Sequence, residues 1–260
     1  MAAIVLHRRV PPSASIASFV ESLVVIERDG DAPHVAIPRP EIDLLFRFGP
    51  AADGGCDAHA FGARQQVHRK TVRGVRRIVT ARLRLGAPEV VLGVPSSAIA
   101  GRIVALDSLW GEAAARRTLD RLSGARDGSE AVALLDAAIA ERIGSNAASH
   151  RSGALALEAA DRLRDAAHVN TVADALGISE RHLRRVFRDA FGVAPKAFAK
   201  LARFDRALCA ARSDQRADWA SIAAAAGYYD QAHLISEFRA IAGATPRALL
   251  GELRASSSIG

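Results

Sequence analysis

The sequence predicts an α+β chain, with a mainly-β N-terminal domain and two trailing helices ahead of an all-α C-terminal domain. Three observations predict it. Apolar residues in the first hundred positions alternate with period two, the mark of half-buried strands. From about Ser96 the apolar spacing turns helical. In the last hundred residues one pattern recurs at a fixed offset of 51 positions, as internal repeats do.

Ile42–Phe48 (IDLLFRF) sets Ile42, Leu44, Phe46 and Phe48 on one face and Asp43, Leu45 and Arg47 on the other. Gly49-Pro50 and Asp53-Gly54-Gly55 then supply turn residues. Val79, Ala81, Leu83 and Leu85 alternate with Thr80, Arg82 and Arg84 in a second strand. Trp110–Leu122 and Ser129–Ile143 read as amphipathic helices, rich in Ala and Leu with Arg, Asp and Glu opposite. Gly144–Gly153 is small and polar, and reads as a linker. The expected division is a β-rich domain with two trailing helices over 1–144, a linker over 145–153, an all-α domain over 154–254 and a disordered tail over 255–260.

At 260 residues the chain suits two domains. Half of it is hydrophobic, which excludes global disorder, while aromatics are only 5%, so Ala, Leu, Val and Ile must build the cores. The net charge of +7 favours a polyanionic partner. That excess is spread along the chain, +3 over 1–144 and +4 over 145–260, so local arrangement has to decide. The opening apolar run is too short for a signal-peptide core, and no uninterrupted apolar stretch approaches 18 residues. Two cysteines 153 positions apart form neither a disulfide framework nor a CxxC site. These features predict a soluble protein of a reducing compartment, without a membrane partner.

The repeat carries the function. Leu183-x3-Phe187-x4-Gly192-x2-Pro195 returns as Leu234-x3-Phe238-x4-Gly243-x2-Pro246. Upstream of each copy lies a short Ala-rich helix stopped by glycine: Val172–Leu176 with Thr171 as expected N-cap, and Trp219–Ala226 with Asp218. Ser179 and Asp230 would cap the helices that follow, and Lys196–Ala211 would join the two units. Each unit is a helix, a glycine turn and a helix. Phe187 and Phe238 should be their buried anchors.

On Glu180–Phe191, helical geometry gathers Leu183, Val186, Phe187 and Ala190 on one face and Arg181, Arg184, Arg185 and Arg188 on the opposite one. Arg181/Arg185 and Arg184/Arg188 are like-charged at i,i+4, which costs about 0.2–0.5 kcal/mol per pair in an isolated helix. A solvated basic face is the plain explanation of such a run. Inside a duplicated helix-turn-helix, contact with DNA explains it better: arginine forks pair with guanine in the major groove and their neighbours neutralise phosphates.

Residues from about 152 to 250 resemble the C-terminal DNA-binding region of AraC/XylS-family transcriptional regulators. The second unit, IAAAAGYYDQAHLISEFRAIAGATPRAL (Ile222–Leu249), follows the family signature around Gly227, Tyr228, Leu234, Phe238, Gly243 and Pro246. The resemblance implies two subdomains reaching successive major grooves on one face of double-stranded DNA. It matches Arg181, Arg184 and Arg185 to base-reading positions of the first recognition helix, and Gln231, Ala232, Ile235 and Ser236 to those of the second. An arginine is common in the family where Ser236 stands. Ser179, His182, Arg188 and Arg239 complete the expected DNA-binding set. The N-terminal portion, through its order of elements and Arg39–Gly49 (RPEIDLLFRFG), is similar to the family's barrel-like sensory domains. That implies a small-molecule effector of unknown identity, with RNA polymerase and a second copy of the chain as further expected partners, and a cytoplasmic, nucleoid-associated location.

His7, His34, His59 and His68 form no HxH pair, so no metal or other cofactor is expected. Cys56, among Gly55, Asp57 and His59, lacks a positive neighbour to activate it, and Cys209 reads as a small buried hydrophobe. His68–Arg77 (HRKTVRGVRR) reads as a guarded strand edge, with an anionic-effector site or auxiliary phosphate contact as the alternative. No GxSxG, P-loop, GxGxxG before a helix or HExxH is present, so no catalytic residue is expected. The reading is a sequence-specific transcription regulator and not an enzyme. Its rival is an N-terminal metal- or cysteine-dependent enzyme fused to a DNA-targeting module.

Overall fold

The computed structural model describes residues 3–146, 154–164, 168–213 and 218–257. Eight strands come first: β1 (Ala3–Val10), β2 (Val20–Asp29), β3 (Ala32–Ala36), β4 (Asp43–Phe48), β5 (Cys56–Phe61), β6 (His68–Val72), β7 (Arg77–Leu83) and β8 (Ile103–Ala105). Five helices lie among and after the last of them: α1 (Pro88–Leu92), α2 (Ser96–Ile99), α3 (Asp107–Trp110), α4 (Glu112–Ser123) and α5 (Gly128–Asn146). Seven more complete the described residues: α6 (Ala154–Arg164), α7 (Val169–Ala175), α8 (Glu180–Phe191), α9 (Pro195–Ser213), α10 (Trp219–Ala226), α11 (Gln231–Ala242) and α12 (Pro246–Ser257).

Six strands form one antiparallel sheet in the order β1-β2-β7-β4-β5-β8, while β3 and β6 pair separately. Strand alternation decides its two faces. Leu23, Val25, Leu44, Phe46, Ala58, Ala60, Val79, Ala81 and Leu83 are buried against α1, α4 and α5, through Val91, Leu92, Ala115, Leu122, Leu135 and Ile139. The β3–β6 pair lies over the other face, since Lys70 stands above the Phe61 ring there. The arrangement is barrel-like only loosely, because β8 spans three residues and shares no ladder with β1.

The C-terminal half has two cores, and α9 belongs to both. Phe198, near its start, stacks with Phe191 and meets Phe187 edge-on at 5.2 Å, alongside Leu183, Leu163 and Val172. Phe204, two turns later, packs on Phe238 at 4.5 Å beside Leu208, Ile222, Leu234 and Leu249. Phe187 and Phe238 are both fully buried, as the repeat predicts.

The N-terminal half touches both units. Ala63 and Leu85 join the first core, and the Ser96 hydroxyl donates to the Ala190 carbonyl at 2.7 Å. Val35, Ile37 and Val67 join the second core, and the Val67 amide donates to the Ile241 carbonyl at 2.9 Å. Arg69 pairs with Glu252 of α12 at 2.6 Å.

Several local expectations change. The run of strands breaks at Leu83 rather than near Ser96, because Pro88 can start a helix but cannot donate to a ladder, and the short strand β8 follows only after α2. The helix expected from Trp110 is two helices, broken where Gly111 takes φ 82°. That break lets the buried Trp110 indole donate to the Val91 carbonyl at 2.9 Å. Helix α7 begins at Val169 with His168 in the cap position and no side-chain cap bond, so Thr171 lies inside it and is not the N-cap. Helix α5 carries the first two residues of the expected linker, and 147–153 lie outside the described residues. Helix α12 continues to Ser257, into the stretch expected as a tail, because Leu250 and Leu253 anchor it to the second core. Residues 258–260 lie outside the described residues.

Candidate nucleic-acid interface

Helix α8 is positioned at both ends. Its N-cap Ser179 accepts from the His182 amide at 3.2 Å, and its last turn closes on Gly192 at φ 70°. Leu183, Phe187 and Phe191 bind it to the first core. With that face buried, the helical period turns Arg181, Arg184, Arg185 and Arg188 outward, and all four are exposed. His182 is half-buried, its Nδ1 3.3 Å from Nη2 of Arg185.

The four arginines are not equivalent. Arg184 pairs with Glu180 one turn earlier, at 2.5 Å. Among the described residues Arg181, Arg185 and Arg188 pair with no carboxylate. The sequence reading of the arginine face left out Glu180, although its i,i+4 spacing to Arg184 was the available signal.

Helix α11 stands on Asp230, whose carboxylate accepts from the His233 amide at 2.7 Å. Gln231, Ala232, Ser236 and Arg239 are exposed. Ile235 is half-buried against the second core, so little of it is left to meet a ligand. Tyr229, in the turn before the helix, is 93% exposed, and His233 is exposed with its ring edge-on to buried Tyr228 at 5.3 Å. Sequence reasoning passed over both, although an aromatic at a turn beside a recognition helix was visible in Gly227–Asp230. It also missed Glu237, buried on the inner side of α11 and paired with Arg203 of α9 at 3.1 Å.

Among the described residues no group of three His, Cys, Asp or Glu is placed to hold a metal ion. Cys56 is buried, and burial pushes its thiol above the ordinary value. Cys209 is exposed rather than buried: Leu208 and Ala207 turn inward on α9, which leaves position 209 facing out. Burial of part of its surface, followed by Asp205, also pushes that thiol up. Neither is an activated nucleophile. Among the described residues no helix is long and apolar enough to cross a membrane.

A short helix, a glycine turn and a side-chain-capped second helix that shows cations outward are the geometry of a DNA-binding helix-turn-helix. Residues 172–252 match a family described as a helix-turn-helix domain, of the AraC type. The chain is accordingly a DNA-binding transcription regulator. No curated protein matches it. One similar solved structure is a transcriptional regulator from Chromobacterium violaceum described as having an AraC-type DNA-binding domain. It is 23% identical, with a TM-score of 0.35 over 43% of this chain and 97% of that one. Another is unsaturated fatty acid-bound ToxT of Vibrio cholerae strain SCE256, 8% identical with a TM-score of 0.46 over 88% of this chain and 94% of that one. ToxT of Vibrio cholerae O395 bound to (E)-4-(8-methylnaphthalen-1-yl)but-3-enoic acid also has a TM-score of 0.46, at 8% identity over 86% of this chain and all of that one.

Proposed function

We propose that the chain is a sequence-specific, effector-responsive transcription regulator whose two helix-turn-helix units enter successive major grooves. The observation that carries this reading is the outer face of α8, where Arg181, Arg185 and Arg188 stand exposed without carboxylate partners. A guanidinium fork can pair with O6 and N7 of guanine, and its neighbours can neutralise phosphates. Helix α11 contributes less discrimination, through Gln231 and Ser236, with Arg239 toward the backbone. With Ser179 as its cap and His182 in its first turn, the N-terminus of α8 would meet a phosphate of the backbone. Contacts from the N-terminal half to both units are the path by which a ligand there would alter DNA binding. RNA polymerase and a second copy of the chain are the further partners, and the nucleoid in the cytoplasm is the expected location.

The test is selection of bound sites from random double-stranded DNA, followed by competition against random sequence. A specific regulator should discriminate by about 10³ or more. Binding should also weaken steeply with salt, since affinity rests largely on phosphate neutralisation. Selection that enriches no sequence would leave only a nonspecific DNA binder.

A further inference from the structure

Alternation along β2 turns Val24, Ile26 and Arg28 onto the sheet face away from the helices, and the β4–β5 register puts Arg47 and Phe61 on that same face. The β3–β6 pair covers it. His34 and Lys70 are register partners there, and the Lys70 ammonium stands 5.5 Å from the centroid of the Phe61 ring. Arg64, just beyond β5, lies over the same ring at 5.0 Å.

Arg28 lies deepest, at 8% exposure, and its Nε and Nη1 have no hydrogen-bond partner. A guanidinium is rarely buried in that way, since an uncompensated buried charge is strongly unfavourable. Its neighbours add to the problem. Burial first, then the charges of Lys70, Arg28 and Arg64, push the His34 imidazole down to about 4. Lost hydration, then Arg64, Arg47 and Arg28, push the Lys70 ammonium down, although part of that side chain reaches solvent. Nearby carboxylates are committed elsewhere: Asp57 accepts from Arg47 at 2.7 Å and Asp43 from Arg82 at 2.9 Å, Asp43 also favouring the charge of Arg64.

We propose that the cationic cluster of Arg28, His34, Arg64 and Lys70 around Phe61, where the β3–β6 pair lies over the large sheet, binds a small anion, a carboxylate or a phosphate. The ligand supplies the counter-charge that the protein leaves out, and its body can lie against Phe61. This assignment rests on the effector-responsive reading above and gives the effector a chemical class. It also gives that effector a lever. The reverse side of the same strand pair packs Val35 on the second core and ties Arg69 to Glu252, so an anion drawing Lys70 toward Arg28 acts on an element that touches the second unit.

The test melts the full chain at fixed pH and ionic strength in chloride, succinate or inorganic phosphate. Succinate or phosphate should raise Tm by roughly 2–4 °C over chloride, and which of them does so separates the two ligand chemistries. Arg28→Met should raise Tm in chloride, because it removes an unpaired buried charge, and should abolish the anion increment. Lys70→Gln, at an exposed position, should fold normally and weaken the increment, which keeps the question answerable if Arg28→Met does not fold. The assignment is overturned if neither anion stabilises the wild type beyond chloride, or if the increment survives Lys70→Gln and Arg28→Met alike. No DNA enters this assay, so its failure and a failed site selection are separate results.

Discussion

Arg203 on α9 donates to the Glu237 carboxylate on α11 across 3.1 Å, and with 8% of its side chain exposed Glu237 is the more deeply buried partner. The Arg203 guanidinium also lies 5.7 Å from the ring centroid of Tyr228. One arginine of the linking helix therefore holds the second recognition helix and the turn before it. Removing one partner of a buried pair costs about 3–5 kcal/mol, and the partial exposure of Arg203 puts this pair at the lower end. Glu237→Leu and Arg203→Met should each destabilise the chain, whereas the double variant should recover much of the loss. Denaturant unfolding of the full chain measures this, and additive losses would show that the two side chains are not coupled.

Gly192 and Gly243 occupy the same place in the two repeats, at φ 70° and 64°. A methyl group at 192 would stand 2.9 Å from the Ser96 carbonyl oxygen, while at 243 it would meet nothing within 4 Å. Gly243→Ala should cost only the left-handed backbone strain, about 1–2 kcal/mol. Gly192→Ala should cost distinctly more, because it also separates α8 from α2. Equal changes in Tm would mean that α2 yields without penalty.

Base readout should be uneven. Mismatches in the block read by α8 should cost about 1–3 kcal/mol each, and those one DNA turn away, under α11, distinctly less. Arg185→Ala should flatten the preference at one position of the first block. Glu180→Gln should tighten binding by releasing Arg184 from its intrahelical partner. Substitution of every base pair in a selected site, at fixed salt, measures all three effects. Equal mismatch costs in both blocks would mean that Gln231 and Ser236 read as much as the arginines.

Asp57 gives the sheet an acid limit. Burial alone would raise its carboxyl, but the Arg47 guanidinium, the Asp53 amide and the charges of Arg47 and His59 bring it below the ordinary value. A carboxylate lowered by folding contributes stability above its unfolded pKa of about 3.9 and loses it as pH falls through the lower folded value. Tm of the wild type should therefore drop below about pH 4 more steeply than that of Asp57→Asn. Parallel acid limbs for the two proteins would remove Asp57 from the account.

The caps and anchors of the C-terminal half were legible because they obey local rules. Ser179, Asp218 and Asp230 precede helices at short, fixed distances, and Leu183, Phe187, Leu234 and Phe238 mark one face by helical period alone. Thr171 failed as a cap for a related reason: local chemistry allowed it, but Val169 and Val172 both reach the first core and draw the helix start upstream.

By itself, then, the sequence determined the strand at Ile42–Phe48, the helical character of the last hundred residues, the arginine face of α8 and the duplication of its unit. Tertiary structure alone decided which polar groups would be left without partners. Arg28, His34, Arg64 and Lys70 lie on separate segments spread over more than forty positions, and only the laying of the β3–β6 pair over the open sheet face brings their charges together. Arg203 and Glu237 meet across two helices for the same reason. Secondary structure follows from interactions a few residues apart, whereas burial and charge pairing depend on contacts between segments whose separation in sequence says nothing of their distance in space.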